Sequence, residues 1–350
     1  MTAISERAAG LPRVGLGTFP TPLEPLRNPG LVIPGARAEV LVKRDDLTGF
    51  STAGNKLRLL EFLLGDALAQ GARTMVGCGP TTSNFIASLS QTSAVNGLDV
   101  EVYIPGPITP NPSIALAQAA GARVTSVPLT RHEIDDFVAG RAAELTAAGT
   151  PAYGIPRGGA TAVGAVGYAL AAEEIAAQLG DRTDVVIVIP AGSCASSAGI
   201  LAGLTLLDSP YRVIAVSTNR EIDEAREVLL GISEGVVELL GGASSRPEER
   251  LTLIDRADAE TPEDLDHVRA ALQHAGIIAA DHYGPATVTE LVRAARQPVA
   301  STVVWWHTGG MLGLPRILDM LDAPSTGREP RPGGLPHVSP PDPRRGTLGS

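Results

Sequence analysis

A chain of 350 residues is long for one hydrophobic core and comfortable for two, so two lobes with a site between them are expected. The residues are 44% hydrophobic but only 3% aromatic, a balance rich in Ala, Gly, Val and Leu that suits helices packed closely on parallel sheet. A net charge of −10 argues against nucleic acid or an anionic membrane as a partner, since both require a clustered basic surface, so neither is expected.

The first thirteen residues carry charges with no apolar run behind them, and no later run reaches bilayer length, so an untargeted soluble protein is expected. The Pro-rich opening up to Glu39 is expected to wrap the larger lobe as extended chain. From Arg73, short apolar runs alternate with amphipathic stretches: Thr74–Gly77 then Ser83–Asn96, Val100–Ile104 then Pro112–Ala120, Arg123–Val127 then His132–Ala148. This alternation predicts βαβ units feeding a parallel sheet. A second series follows: strand Tyr153–Ile155 and helix Ala162–Leu179, then strand Val185–Ile189 and helix Ala198–Leu207. A strand at Arg212–Ser217, helices near Glu221–Leu240 and Pro262–Ala275, and a last strand at Thr302–Trp306 complete it. The expected division is a large domain of residues 1–50 plus 160–322, a small domain of 51–159, and a disordered tail of 323–350, which is rich in Pro, Gly and Arg.

Cys78 and Cys194 lack metal-ligand spacing, so no metal site and no disulfide framework are expected, which fits a reducing cytoplasm. Lys56 follows Gly54-Asn55 at a predicted helix start, and other cations stand nearby in Lys43-Arg44-Asp45-Asp46-Leu47-Thr48. Backbone N–H groups and neighbouring positive charge lower an ammonium pKa, as covalent carbonyl chemistry needs; a solvated first-turn lysine is the plain alternative. The turn Gly192-Ser193-Cys194-Ala195-Ser196 after an apolar strand is either an anion site at a helix start or an ordinary small-residue turn. A nucleotide-binding α/β protein is disfavoured, because no Gly-x-x-x-x-Gly-Lys-Ser/Thr loop is present.

Lys43–Thr48 and Gly54–Glu61 resemble the Lys-Arg-Asp-Asp-Leu-Thr and Gly-Asn-Lys-x-Arg-Lys-Leu-Glu motifs of the D-cysteine desulfhydrase and 1-aminocyclopropane-1-carboxylate deaminase group of pyridoxal-5′-phosphate (PLP) enzymes, with Leu59 in place of the second Lys. The resemblance runs from about Val14 to Leu314. It implies a two-lobed, three-layer α/β fold with parallel-rich sheets of the tryptophan-synthase-β-like type, PLP as cofactor, and a homodimer. By the same resemblance Lys56 is the lysine that binds PLP covalently and moves the Cα proton.

Thr82-Ser83-Asn84-Phe85 stands where the group reads Gln-Ser-Asn-His, which implies that Asn84 donates to the cofactor ring and Ser83 serves the substrate carboxylate or a proton transfer; the same residues also make an ordinary N-cap. Phe85 replaces a titratable residue. Pro156-Arg157-Gly158-Gly159 and Gly164-Ala165-Val166-Gly167-Tyr168 resemble a turn and helix that mark the crossing between lobes, Gly158 and Gly159 being either a turn or a ligand contact. Where the group reads Gly-Ser-Gly-Gly-Thr, this chain carries Gly192, Ser193, Cys194, Ala195 and Ser196 as the phosphate loop, Cys194 reading as a small buried residue rather than a nucleophile. Tyr283, in a segment one residue shorter than the group's and lacking its Lys, is by this resemblance the candidate for a phenol near the substrate Cα or leaving group; His282 has no counterpart. His307-Thr308-Gly309-Gly310 resembles the group's His-Thr-Gly-Gly, which implies that the Thr308 hydroxyl reaches the pyridine nitrogen.

The implied activity is that of a lyase or deaminase, removing the Cα proton of a small amino acid and then a β-group. Altered residues on the site motifs predict a divergent substrate. A β-replacement synthase and a non-catalytic binding protein remain as alternatives.

Overall fold

The apolar runs between Thr74 and Ile155 pair as a four-stranded parallel sheet, and the other strands build a second, six-stranded one. The computed structural model describes residues 3–52, 54–243, 247–256, 261–297 and 299–322. The tail expected to be disordered, 323–350, lies outside them.

The chain opens with helix α1 (Ile4–Ala8), strand β1 (Leu23–Pro25), helix α2 (Pro29–Val32) and strand β2 (Glu39–Arg44). Here the structure departs from the extended chain expected: Pro29 at the first helical position starts α2, and β1 pairs antiparallel with β2 as a sheet edge. Next come α3 (Lys56–Ala69), β3 (Thr74–Cys78), α4 (Asn84–Val95), β4 (Asp99–Pro105), α5 (Pro112–Ala119), β5 (Arg123–Val127), α6 (Ile134–Ala147) and β6 (Ala152–Ile155), giving the sheet order β5-β4-β3-β6. The chain then returns through α7 (Ala162–Leu179), β7 (Val185–Pro190), α8 (Ala195–Leu206), β8 (Arg212–Ser217), α9 (Ile222–Leu239) and β9 (Leu251–Asp255). It closes with α10 (Pro262–Ala270), α11 (Gly284–Arg296), β10 (Thr302–His307) and α12 (Leu314–Asp322), in the sheet order β1-β2-β10-β7-β8-β9.

The central strands β7 and β10 are buried almost throughout, as their near-continuous Val, Ile and Trp content requires of strands covered on both faces. Sequence patterning missed β9, a half-buried edge strand between charged flanks. It also started α8 at Ala198, whereas the helix begins at Ala195 and takes three more loop residues into its first turn.

Close helix packing sets the frame of the site. A Cβ at Gly167 in α7 would lie 1.9 Å from the Arg58 carbonyl oxygen in α3, and one at Gly199 in α8 would lie 2.3 Å from the Ala165 oxygen in α7. Backbone blocks both, so neither helix has room to give. Gly167→Ala is expected to destabilise the fold by about 3 kcal/mol. In contrast Gly231→Ala in α9, where nothing lies within 4 Å, is expected to be neutral or stabilising by up to about 1 kcal/mol. Urea unfolding of the two variants checks this; equal midpoints would contradict the packing argument.

Beneath α3 lies a buried ionic cluster built from the Lys43–Thr48 motif. The Asp45 carboxylate, fully buried, accepts from Arg58 Nε and Nη2 at 2.9 and 2.8 Å, Thr21 Oγ1 at 2.8 Å, Tyr168 Oη at 2.8 Å and Trp306 Nε1 at 2.9 Å. Arg58 also pairs with Glu174 at 2.9 Å. The buried Lys43 ammonium pairs with Glu174 and donates to Gln178 Oε1 and the Thr21 carbonyl, each at 2.7 Å. These bonds tie β2, α3, α7 and β10 together two residues from Lys56.

Candidate active site

The carboxyl ends of strands from both sheets converge on a cavity of about 400 Å³, the position that open parallel sheets generally use for ligands. Lys56, first residue of α3, reaches into it. Its Nζ donates to the Gly158 carbonyl oxygen at 3.2 Å, and burial lowers its pKa to about 8. Gly158 has φ +68°, and a Cβ there would sit 2.6 Å from Ser193 Cβ and 3.6 Å from Lys56 Nζ. Glycine is therefore needed for a close approach as well as for the turn. Arg157 braces this turn, its backbone N and its Nε donating to Asp135 at 2.8 and 2.9 Å.

Across the cavity the Gly192–Ser196 loop leads into α8. Gly192, Ser193, Cys194 and Ser196 line the cavity; Ala195 does not, being fully buried at the helix start, where only its backbone N–H is available to a ligand. Cys194 adopts φ +72°, so the main chain keeps a glycine-like path despite a side chain, at a cost of roughly 1–2 kcal/mol. Its thiol points behind the loop toward the Ala191 and Ala225 carbonyls at 3.6 and 3.7 Å, and burial raises its pKa to about 11. It is an inert core group.

Ser83 is the N-cap of α4 by position, yet its side chain makes no capping bond, and Asn84 follows as the first helical residue. Both line the cavity. Phe85, also at the wall, is 1% exposed and packs in the hydrophobic core, a Cβ at Gly159 lying 3.1 Å from its ring. Tyr283, at the start of α11, stands over Gly192: a Cβ there would lie 2.4 Å from its Cε1. Burial raises the phenol's pKa, and Asn219 Nδ2 donates to its oxygen at 3.4 Å. His282 hydrogen-bonds Asn219 Oδ1. Thr308 lines the wall after β10, and its carbonyl accepts from Asn55 N at 3.0 Å.

Sequence reading missed Asn55, Arg131, Asn219 and Arg220. Asn55 Nδ2 donates to Ser196 Oγ at 3.0 Å, joining the start of α3 to that of α8. The available signal was position: Asn219 and Arg220 stand just past β8, at the carboxyl edge where the other site residues cluster.

Among the described residues the side chains of Ser83, Asn84, Ser193 and Thr308 have no hydrogen-bond partner, so four open polar groups surround one lysine. No group of three or more His, Cys, Asp or Glu among the described residues could hold a metal, and no helix there is long and apolar enough to cross a membrane. A lysine of lowered pKa facing a small-residue loop at a helix start, in a cavity between two parallel-rich sheets, fits a phosphate-bearing aromatic aldehyde bound covalently: the arrangement of a PLP enzyme.

Residues 14–309 match the model of the family described as pyridoxal-phosphate dependent enzyme, and the chain belongs to that family. Its fold is the tryptophan-synthase-β-like α/β fold and its cofactor is PLP. A putative 1-aminocyclopropane-1-carboxylate deaminase of Pyrococcus horikoshii is 32% identical over 311 residues, 87% of this chain and 94% of that one. A D-cysteine desulfhydrase of Yersinia enterocolitica is 33% identical over 250 residues, 69% and 74% of the two chains. The nocardicin C-9′ epimerase of Nocardia uniformis subsp. tsuyamanensis is 36% identical over 265 residues, 74% and 75%. The crystal structure of an ACC deaminase homologue superposes with a TM-score of 0.83 at 30% identity, covering 92% of this chain and all of that one.

Proposed function

We propose that this chain is a PLP-dependent lyase or deaminase that removes the Cα proton of a small amino acid and expels a β-group, hydrolysis then yielding a keto acid and ammonia. The single observation that carries the reading is Lys56: a half-buried amine whose pKa desolvation lowers to about 8, at the wall of a cavity ringed by open polar side chains. Bound PLP draws electron density away from the substrate Cα and so lowers the cost of losing its proton. Lys56 Nζ holds the cofactor and then, free, accepts that proton. The loop Gly192–Ser196 and the first N–H groups of α8 would hold the phosphate, and the Asn84 amide and the Thr308 hydroxyl, both at the cavity wall, would hold the ring by hydrogen bonds. Ser83 takes the substrate carboxylate. Tyr283, kept protonated by burial, donates a proton to the departing group. We read the two sheets as a large domain of 1–50 plus 160–322 and a small one of 51–159, in a cytoplasmic homodimer.

The substrate is a divergent one, because the Tyr283 segment at the cavity wall is one residue shorter than the D-cysteine desulfhydrase group's motif and lacks its Lys while the motif around Lys56 is kept; the other departures, Phe85, Cys194 and Ala195, turn their side chains into the core. A panel of D- and L-amino acids bearing β-leaving groups, with aminocyclopropane carboxylate, read for keto acid and ammonia in deuterated water, tests this. Keto acid from a panel member other than D-cysteine and aminocyclopropane carboxylate is the expected result. Efficient turnover of D-cysteine alone would refute the divergent substrate. Inverted, deuterated amino acid without keto acid would replace the lyase by an epimerase, as the Nocardia relative's name describes that protein. A β-substituted amino acid formed only when a thiol is added would replace it by a synthase.

A further inference from the structure

Glu224, in the first turn of α9, faces two guanidiniums. Arg131 Nη2 pairs with it at 2.5 Å and Arg220 Nη1 pairs with it as well, so two positive charges share one negative charge at this wall. Arg220 is 7% exposed, and its carbonyl oxygen accepts from Ser217 Oγ at 2.9 Å, which holds the residue at the end of β8. Among the described residues its Nε is buried without a hydrogen-bond partner. Both arginines line the cavity together with the Gly192–Ser196 loop.

A buried guanidinium with an unmet donor and incomplete charge compensation is costly unless a ligand completes it. A dianionic phosphate supplies both the acceptor and the charge, and a planar guanidinium suits phosphate oxygens. The loop itself leaves room for such a partner, since Ala195 lies inside the helix and Cys194 turns its side chain away from the cavity. We propose that Arg220 is the charged anchor of the cofactor's phosphate, its guanidinium held beside the Gly192–Ser196 loop by the carboxylate it shares with Arg131. The inference rests on PLP as the cofactor and adds to the loop a contact that acts by charge.

Arg220→Gln leaves Glu224 paired with Arg131, so the variant is expected to fold, which thermal unfolding of the apoprotein verifies. Apoprotein of the parent, Arg220→Gln and Arg220→Lys is titrated with PLP and with pyridoxal, which lacks the phosphate, following visible absorption. Arg220→Gln is expected to weaken PLP by roughly 10- to 100-fold and to leave pyridoxal within about twofold of the parent, with Arg220→Lys recovering part of the loss. Equal weakening of both ligands would mean that Arg220 acts through the fold, and overturns the proposal. Unchanged PLP affinity in Arg220→Gln, beside a parent that binds PLP, overturns it alone; a parent that binds no PLP overturns the cofactor assignment with it.

Discussion

Lys56→Ala is expected to abolish the visible absorption of lysine-bound PLP and to lower turnover by at least about 10³-fold, since it removes both the covalent hold and the proton acceptor. The fold should survive, because the one hydrogen bond lost is that from Nζ to the Gly158 carbonyl. The parent adds a pH test. Only the neutral amine attacks an aldehyde, and burial places the Lys56 pKa at about 8 rather than at the ordinary lysine value. PLP uptake by the apoprotein should therefore accelerate about tenfold per pH unit below 8 and level off above it. Uptake that keeps accelerating to pH 10 would show an amine with no lowered pKa. A Lys56→Ala protein that still bound PLP with the parent spectrum would place the covalent attachment elsewhere.

Asp45→Asn is expected to lower stability by about 3–5 kcal/mol with no change in the denaturant m-value. In the parent, Asp45 and Glu174 balance Lys43 and Arg58 inside the protein. The substitution preserves the shape but leaves a buried positive charge unmatched. Adding Arg58→Met should recover part of the loss, since it withdraws that charge, although it also removes the guanidinium stacked 4.3 Å from the Phe19 ring centroid. The acid limb follows from the same carboxylate. Burial opposes its ionisation, but Arg58 and the hydrogen bonds from Trp306 and Thr21 outweigh burial and hold its pKa below the ordinary value. Its contribution is complete above the unfolded-state value of about 3.9 and is lost as pH falls below it. The parent should thus unfold in acid more steeply than Asp45→Asn. A loss under about 1 kcal/mol would mean that water already reaches the cluster.

The strand and helix alternation from Arg73 to Ser217 was readable from local sequence, because period-2 and period-3.6 apolar patterns belong to each segment alone. So were the Lys56 helix start and the small-residue turn after β7: both depend on residue types within a few positions. The edge strand β9, the antiparallel β1 and the two short N-terminal helices were not, since neighbours distant in sequence decide them. The loop could be seen to lack two glycines, but not that Cys194 keeps a left-handed backbone by turning its side chain into a core completed by α9. The Lys43–Thr48 motif could be seen as a pattern, whereas its task, a charge cluster joining Asp45 to Trp306 across 261 positions, exists only once the sheet is assembled. Arg220 belongs to no motif, and its one local signal is its position just past β8. Charge pairing and burial depend on what folding places within a few ångströms, and only the tertiary structure sets Arg220 and Arg131 on one carboxylate beside the loop that begins α8.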